Sequence, residues 1–218
     1  SKAVTKGAQA TAKKLGFQVV DTESFPEGST DVSSALTKAR AANPDVIVGA
    51  VHVAEGIAIV KQAHELGVTP KGFAETVAPP TPDFAKSLGA QANGVLGSTQ
   101  WTPTVGGSDA YFGSAKDYAA AIKARFGHTP DYHDAEATAA CLAMVLAVQK
   151  AGSTDPGKVR DAMAALNTDT FFGHIQFDKT GQNIYKPMQV IQIQHGKAVT
   201  VWPKKDASGT LAWPGTGQ

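Results

Sequence analysis

The feature that most constrains this chain is a change of rhythm near its midpoint. Over the first hundred residues, short β-type runs alternate with stretches of helical period. Residues 3–15 predict a helix with Val4, Ala8, Ala12 and Leu15 near one face, closed by Gly16. Residues 17–20 predict a strand. Residues 31–42 predict a helix that ends before Pro44. Residues 45–53 are mostly apolar and β-branched, the pattern of a strand buried on both faces. A helix over 54–66 closed by Gly67, a weak strand over 71–74, a short helix over 82–88 closed by Gly89 and a strand over 94–99 follow. Such alternation builds parallel βαβ units.

Beyond Trp101 the pattern changes. Residues 102–108 are rich in Gly, Pro, Ser and Thr and predict a crossover. Helical periodicity then covers 114–126, 134–151 and 156–166, with little β signal between them. The chain returns to β runs at 174–177, 188–194 and 198–202, with Pro187 at the edge of the second. Asp178-Lys179-Thr180-Gly181 and His195-Gly196 read as turns. The tail after Pro203 is polar and rich in Gly and Pro, a surface strand or a loose end. An α/β block, then helices without a sheet of their own, then strands, describes a chain that visits two lobes.

Composition removes several functions. The 218 residues suffice for a sizeable core, and 42% hydrophobic against 18% charged argues for a folded chain. Twenty Lys and Arg against 19 Asp and Glu leave a net charge of +1, so no electrostatic case exists for nucleic acid. Apolar runs such as 46–53 are too short to span a bilayer. One cysteine, Cys141, forms no intrachain disulfide and no thiolate metal cluster. Set among Ala, Leu and Met, it reads as a buried structural thiol.

The catalytic motifs looked for do not occur. There is no G-x-G-x-x-G after a strand, no phosphate-binding loop ending in G-K-[ST] and no G-x-S-x-G elbow. The six histidines, at 52, 64, 128, 133, 174 and 195, include no H-x-x-x-H pair. His64, beside Glu65, reads as solvated. The expectation is a protein that is not an enzyme and carries no cofactor and no metal.

Open parallel sheets bind ligands beyond the carboxyl ends of their strands. Three such ends stand out. The first runs Gly49-Ala50-Val51-His52 into a helix start, whose free N–H groups favour polar or anionic partners. Glu55, a little further on, reads as a first-turn helix charge. The second is Phe73-Ala74-Glu75-Thr76, where Glu75 is either a ligand carboxylate, a solvated charge or a helix cap. The third is Thr99-Gln100-Trp101, with Trp101 anchoring two lobes or touching ligand.

The run Phe25-Pro26, Thr30-Asp31-Val32-Ser33, Leu36-Thr37 and Asn43-Pro44-Asp45-Val46-Ile47 resembles type I periplasmic binding proteins of ABC importers. Within them it resembles the branched-chain amino acid/amide-binding branch. Gln62-Ala63, Leu66-Gly67 and Asn93-Gly94-Val95 fit as well, as do Gly173 to Asp178, Gly181, Pro187, Val190, Gln192 and Gly196-Lys197. The set spans nearly the whole chain.

The resemblance implies a doubly wound, mostly parallel α/β sheet, plus helices belonging to a partner lobe whose sheet lies upstream. Residues 1–100 and 187–218 would form the second lobe, and 101–186 the crossover and helical part of the first. Ligand would lie between lobes that close about a hinge. It also implies ligand contacts. Val51 and His52 stand where amino-acid binders tend to carry Tyr. Glu75, or its neighbour Thr76, stands where a carboxylate pairs with the ligand ammonium. His133, or its neighbour Tyr132, stands where an aromatic lines the cleft. In a competing chemistry, an aromatic or carboxylic acid ligand, Phe73, Trp101, His133 and His52 would supply stacking and donors. The implied partners are a small-molecule ligand, a membrane ABC permease and the missing N-terminal lobe, and the implied location is periplasmic or otherwise exported.

Alternatives are a ligand-sensing receptor or regulator on the same fold, or an enzyme, which turnover dependent on Glu75 or His133 would reveal. The opening at Ser1 on a helical pattern leads to the expectation that this is the C-terminal part of a longer binding protein. Its middle helices would then expose apolar faces, Leu142 and Leu146 included.

Overall fold

The computed structural model describes residues 2–186 and 188–215, and the expectation of a strand edge at Pro187 lies outside them. In chain order the elements are α1 (Lys2–Lys14), α2 (Ser33–Ala42), β1 (Val46–Gly49), α3 (Val53–Glu65), β2 (Gly72–Glu75), α4 (Pro82–Leu88) and β3 (Leu96–Thr99). Then come β4 (Ser108–Asp109), β5 (Gly113–Ser114), α5 (Ala115–Phe126), α6 (Tyr132–Ala151), α7 (Pro156–Ala164), β6 (Asn167–Thr170) and β7 (Gly173–Gln176). β8 (Gln189–Gln194) and β9 (Lys197–Trp202) complete the set, with 3-10 turns at Gly89–Ala92 and Lys204–Asp206. Two compact units result. Residues 1–98, 190–201 and 209–218 make the first, and 99–189 with 202–208 the second.

The first unit is built on a five-stranded sheet of order β1-β2-β3-β8-β9. β1 and β2 are parallel, with Val46 opposite Gly72 and Gly49 opposite Glu75, and β2 and β3 are parallel in turn. α3 and α4 are the connections, which is the βαβ logic of the sequence. Positive φ at His195 and Gly196 makes the tight turn between β8 and β9. Val32, Leu36, Ile59, Val60, Phe73, Phe84, Leu88, Val95, Ile191 and Ile193 form one apolar cluster. Phe84 is fully buried, a contribution of about 2–3 kcal/mol from area alone. α3 turns Ala58, Ile59, Val60 and Ala63 inward and leaves Lys61, His64 and Glu65 outside, so His64 is exposed as expected.

Two expectations fail in this unit, at residues 17–20 and at β1. Residues 17–20 form no strand, and Phe17, Val19 and Val20 are exposed. A strand exists only through a ladder partner, and none pairs with this run among the described residues. α1 buries no residue, so the face carrying Val4 and Leu15 points to solvent. β1 is shorter than the 45–53 run and is not buried on both faces. It lies at the end of the sheet, and Val48 is 61% exposed.

The second unit packs α5, α6 and α7 with two small hairpins, β4–β5 and β6–β7. Trp101, Phe112, Tyr118 and Phe171 interlock edge-to-face, except for the stacked Tyr118–Phe171 pair at 4.1 Å. Asp109 ties the hairpins together, accepting from the N–H groups of Tyr111, Phe112 and Phe171. α5 and α6 each start with a capping box, Ser114 with Asp117 and Asp131 with Asp134.

α6 is apolar on most of its circumference. One side buries Tyr132, Ala135, Ala139, Leu142, Ala143 and Ala147, while Met144 and Val145 are exposed. Leu142 is thus buried, against the expectation that it would be open. Leu146 is half-buried against Ala143, Leu166 and Ile175. Cys141 is exposed rather than buried, because helical geometry places it on the stripe of Met144 and Val145.

Candidate functional site

In the first unit, the carboxyl ends of β1 and β2 lie side by side, because the parallel register sets Gly49 opposite Glu75. The residues beyond them are therefore neighbours. Thr76 holds the pair: its hydroxyl donates to the Val51 carbonyl at 3.0 Å and accepts from the Val51 N–H at 3.2 Å. Its own N–H donates to the Gly49 carbonyl, and Ser98 Oγ donates to its carbonyl. Val51 and Thr76 are half-buried. His52 is exposed at the N-cap of α3 with no side-chain cap bond, and its carbonyl accepts from the Gly56 N–H at 2.9 Å.

Phe73 is 3% exposed within the apolar cluster. That corrects its reading as a stacking surface: alternation along β2 turns it into the core. Glu75 follows two residues later and is 4% exposed, with neither carboxyl oxygen hydrogen-bonded among the described residues. Burial alone pushes its carboxyl up to about 8. This excludes both bland readings of Glu75, the solvated charge and the helix cap. Glu55, read as a first-turn charge, is also 4% exposed, but it accepts from the Gly28 N–H at 2.6 Å. That bond, with one from its own amide, holds its carboxyl below the usual range against a smaller effect of burial.

The remaining candidates belong to the second unit. Trp101 is 2% exposed, and its indole N–H donates to the Phe171 carbonyl at 3.1 Å. Tyr132 is buried and His133 exposed at the start of α6, their rings 3.9 Å apart. Burial, then Glu136 and Asp131, raises the Tyr132 phenol.

Two residues escaped the sequence reading. Gly56 sits in the first turn of α3, where an added Cβ would lie 2.3 Å from Glu75 Oε2 and 2.6 Å from Ala78 Cβ. A glycine inside a helix costs about 1 kcal/mol, and that was the available signal. Lys186, in the second unit, places its ammonium 3.9 Å over the Phe172 ring and donates to the Gln100 carbonyl. Burial lowers it to about 8, opposed by Asp206 and Glu136. No sequence signal marks it. Among the described residues, no cluster of His, Cys, Asp or Glu could hold a metal ion.

Known proteins place this geometry. The periplasmic binding protein family matches residues 1–198. Leu/Ile/Val-binding protein homolog 7 of Brucella suis biovar 1 (strain 1330) is 24% identical over 220 residues, covering 97% of this chain and 54% of its own length. Homolog 8 of Brucella abortus (strain 2308) is 26% identical over 205 residues, covering 90% and 50%. The chain thus spans about half the length of the curated relatives it matches. A leucine-binding protein from Thermotoga maritima MSB8 superposes with a TM-score of 0.76 at 26% identity, over 86% of this chain and 52% of that one. A Leu-, Ile-, Val-, Thr- and Ala-binding protein from Brucella ovis, in its closed conformation, shares the fold at a TM-score of 0.74 and 22% identity, over 96% and 52%. With its parallel sheet, its βαβ order and this match over most of its length, the chain belongs to the periplasmic binding protein family.

Proposed function

We propose that this chain is part of an exported solute-binding protein that captures a small amino acid or amide and delivers it to an ABC permease. The observation that carries this reading is Glu75, a carboxyl without a partner among the described residues at the carboxyl end of β2, in a family whose matched members include branched-chain amino acid binders. A ligand ammonium would supply the partner that Glu75 lacks, since a charge is tolerated out of water only when paired. The backbone of residues 49–52 and the Thr76 hydroxyl would supply the polar rim. In this reading the first unit is the second ligand-binding lobe of the longer protein. The second unit is the helical part of the first lobe, presenting Tyr132 and His133, with Trp101 as an anchor. The lobes work by hinge closure without chemistry, in the periplasm or at the cell surface.

The test is calorimetry on the full-length protein with L-leucine, L-isoleucine, L-valine and their amides. Glu75→Ala should lower affinity at least tenfold for any of these that binds. Unchanged affinity would sink the assignment of Glu75. Binding of aromatic carboxylates alone would instead favour the acid-binding reading, for which the exposed His52 at the start of α3 speaks.

A further inference from the structure

Glu75 poses a question that pairing with a ligand does not answer: in which protonation state it waits. Its side chain lies close to two glycines. Gly56, on the first turn of α3, leaves room for Oε2 that a methyl group would fill. Gly49, at the end of β1, approaches its Cγ, where an added Cβ would lie at 3.3 Å. Ala78 crowds the same space at Gly56 from the loop after β2. Both oxygens are out of contact with solvent and have no hydrogen-bond partner among the described residues.

Among the described residues, no charge compensates this burial. β1 and β3 carry no titratable side chain, nor does the loop from Thr76 to Thr81. On α3 the nearest acid, Glu55, is committed to the Gly28 amide. His52 is exposed, and Lys61, His64 and Glu65 point outward. α4 carries Asp83 and Lys86, both exposed. An ionised carboxylate in such a place would cost several kcal/mol, and the neutral acid costs much less. The elevated titration of this group agrees, with burial as its sole cause.

The backbone around it is fixed. Thr76 bonds to Val51 through both its donor and its acceptor, and its amide bonds to Gly49. The side chain is therefore the part free to move.

We propose that the niche formed by Gly56, Gly49 and Ala78 stores Glu75 as a neutral acid, and that an incoming ammonium draws the carboxyl out and releases one proton. The step balances: the O–H bond of the acid breaks, its proton passes to solvent, and the carboxylate left behind pairs with the ligand's ammonium. This rests on the amine-binding reading above and adds proton linkage to it. Below the point where the free acid titrates, affinity rises about tenfold per pH unit, because each binding event expels one proton.

Two measurements test this, the first without ligand. Carbon-13 NMR of the Glu75 carboxyl in the full-length protein should show it protonated at pH 6.5, and a charged carboxylate at that pH overturns the inference. The second is calorimetry with L-leucine at pH 6.5, in two buffers of different ionisation enthalpy. Release of about one proton per ligand is expected, and none with Glu75→Gln, a variant that keeps the shape of the niche. Binding without proton release overturns the storage proposal and leaves the amine reading standing. If Glu75 is protonated but neither L-leucine nor any other amino acid binds, the amine reading falls and the release step with it.

Discussion

The first turn of α3 and the end of β2 each bury a glutamate, and the two carboxyls behave in opposite ways. Glu55 and Glu75 are each 4% exposed as residues, but the carboxyl of Glu75 lies much deeper than that of Glu55. Glu55 meets two backbone amides, and its carboxyl is held below the ordinary range. Glu75 meets no donor among the described residues and is pushed up to about 8 by burial. Residue exposure alone does not decide the charge of a buried acid; the depth of its carboxyl and the donors around it do. Two buried acids with opposite shifts can therefore lie at neighbouring strand ends. The difference between them can be broken or sharpened by substitution.

The largest effect is expected at Glu75. Its folded titration point lies above its unfolded one, so its contribution is fully present at low pH and is lost as pH rises between about 4.5 and 8. Glu75→Gln should match the parent near pH 4 and exceed it at pH 9 by on the order of 4 kcal/mol, read by denaturant unfolding. Equal stability at pH 9 would show that Glu75 is not stored in the niche.

Gly56→Ala comes next. Helix propensity favours the change by about 1 kcal/mol, but the new methyl group would press on Glu75 Oε2 and Ala78 Cβ. Overpacking of this kind should outweigh the gain and leave a net loss of about 2 kcal/mol. Adding Glu75→Ala should recover part of it, and strict additivity in thermal melts would mean that the two do not touch.

Glu55→Ala should cost somewhat less, about 1.5 kcal/mol at pH 7, by leaving the Gly28 amide without its acceptor. Its pH dependence should run opposite to that of Glu75. The contribution is present above about pH 4.5 and fades as pH falls through the depressed value. The smallest effect belongs to Thr76→Val, about 1 kcal/mol, together with faster amide exchange at Val51. Unchanged exchange would show that the clamp does not hold.

Much of the architecture could be read from periodicity. The helices over 33–42, 53–65, 82–88 and 115–126 lie within a residue or two of expectation, because Gly67, Gly89 and Pro44 punctuate them. The strand at 17–20 was misread because propensity says nothing about whether a ladder partner is at hand. The hairpins β4–β5 and the strand β6 were missed because two- and four-residue strands rich in Ser, Asp, Asn and Thr carry no apolar alternation. At the site, Glu75 drew notice as the only acid at its strand end. Its lack of donors, which makes it unusual, is a property of neighbours distant in sequence and left no trace in its own segment. Phe73 joins the apolar cluster for a simpler reason, since a strand residue two positions before Glu75 shares its face.

The order β1-β2-β3-β8-β9 has a consequence for biosynthesis. β3 ends about 90 residues before β8 begins, yet the two are neighbours in one sheet. A ribosome making this chain delivers three parallel strands and must then make every helix of the second unit before the remaining strands appear. Trp213, which covers Gly72, and Gly215, whose amide donates to the Lys71 carbonyl, come later still. The sheet therefore waits with an open β3 edge while about 90 residues are made, an interval in which unpaired strands invite the wrong partner. Without Trp213 and Gly215, the start of β2 would lose both contacts.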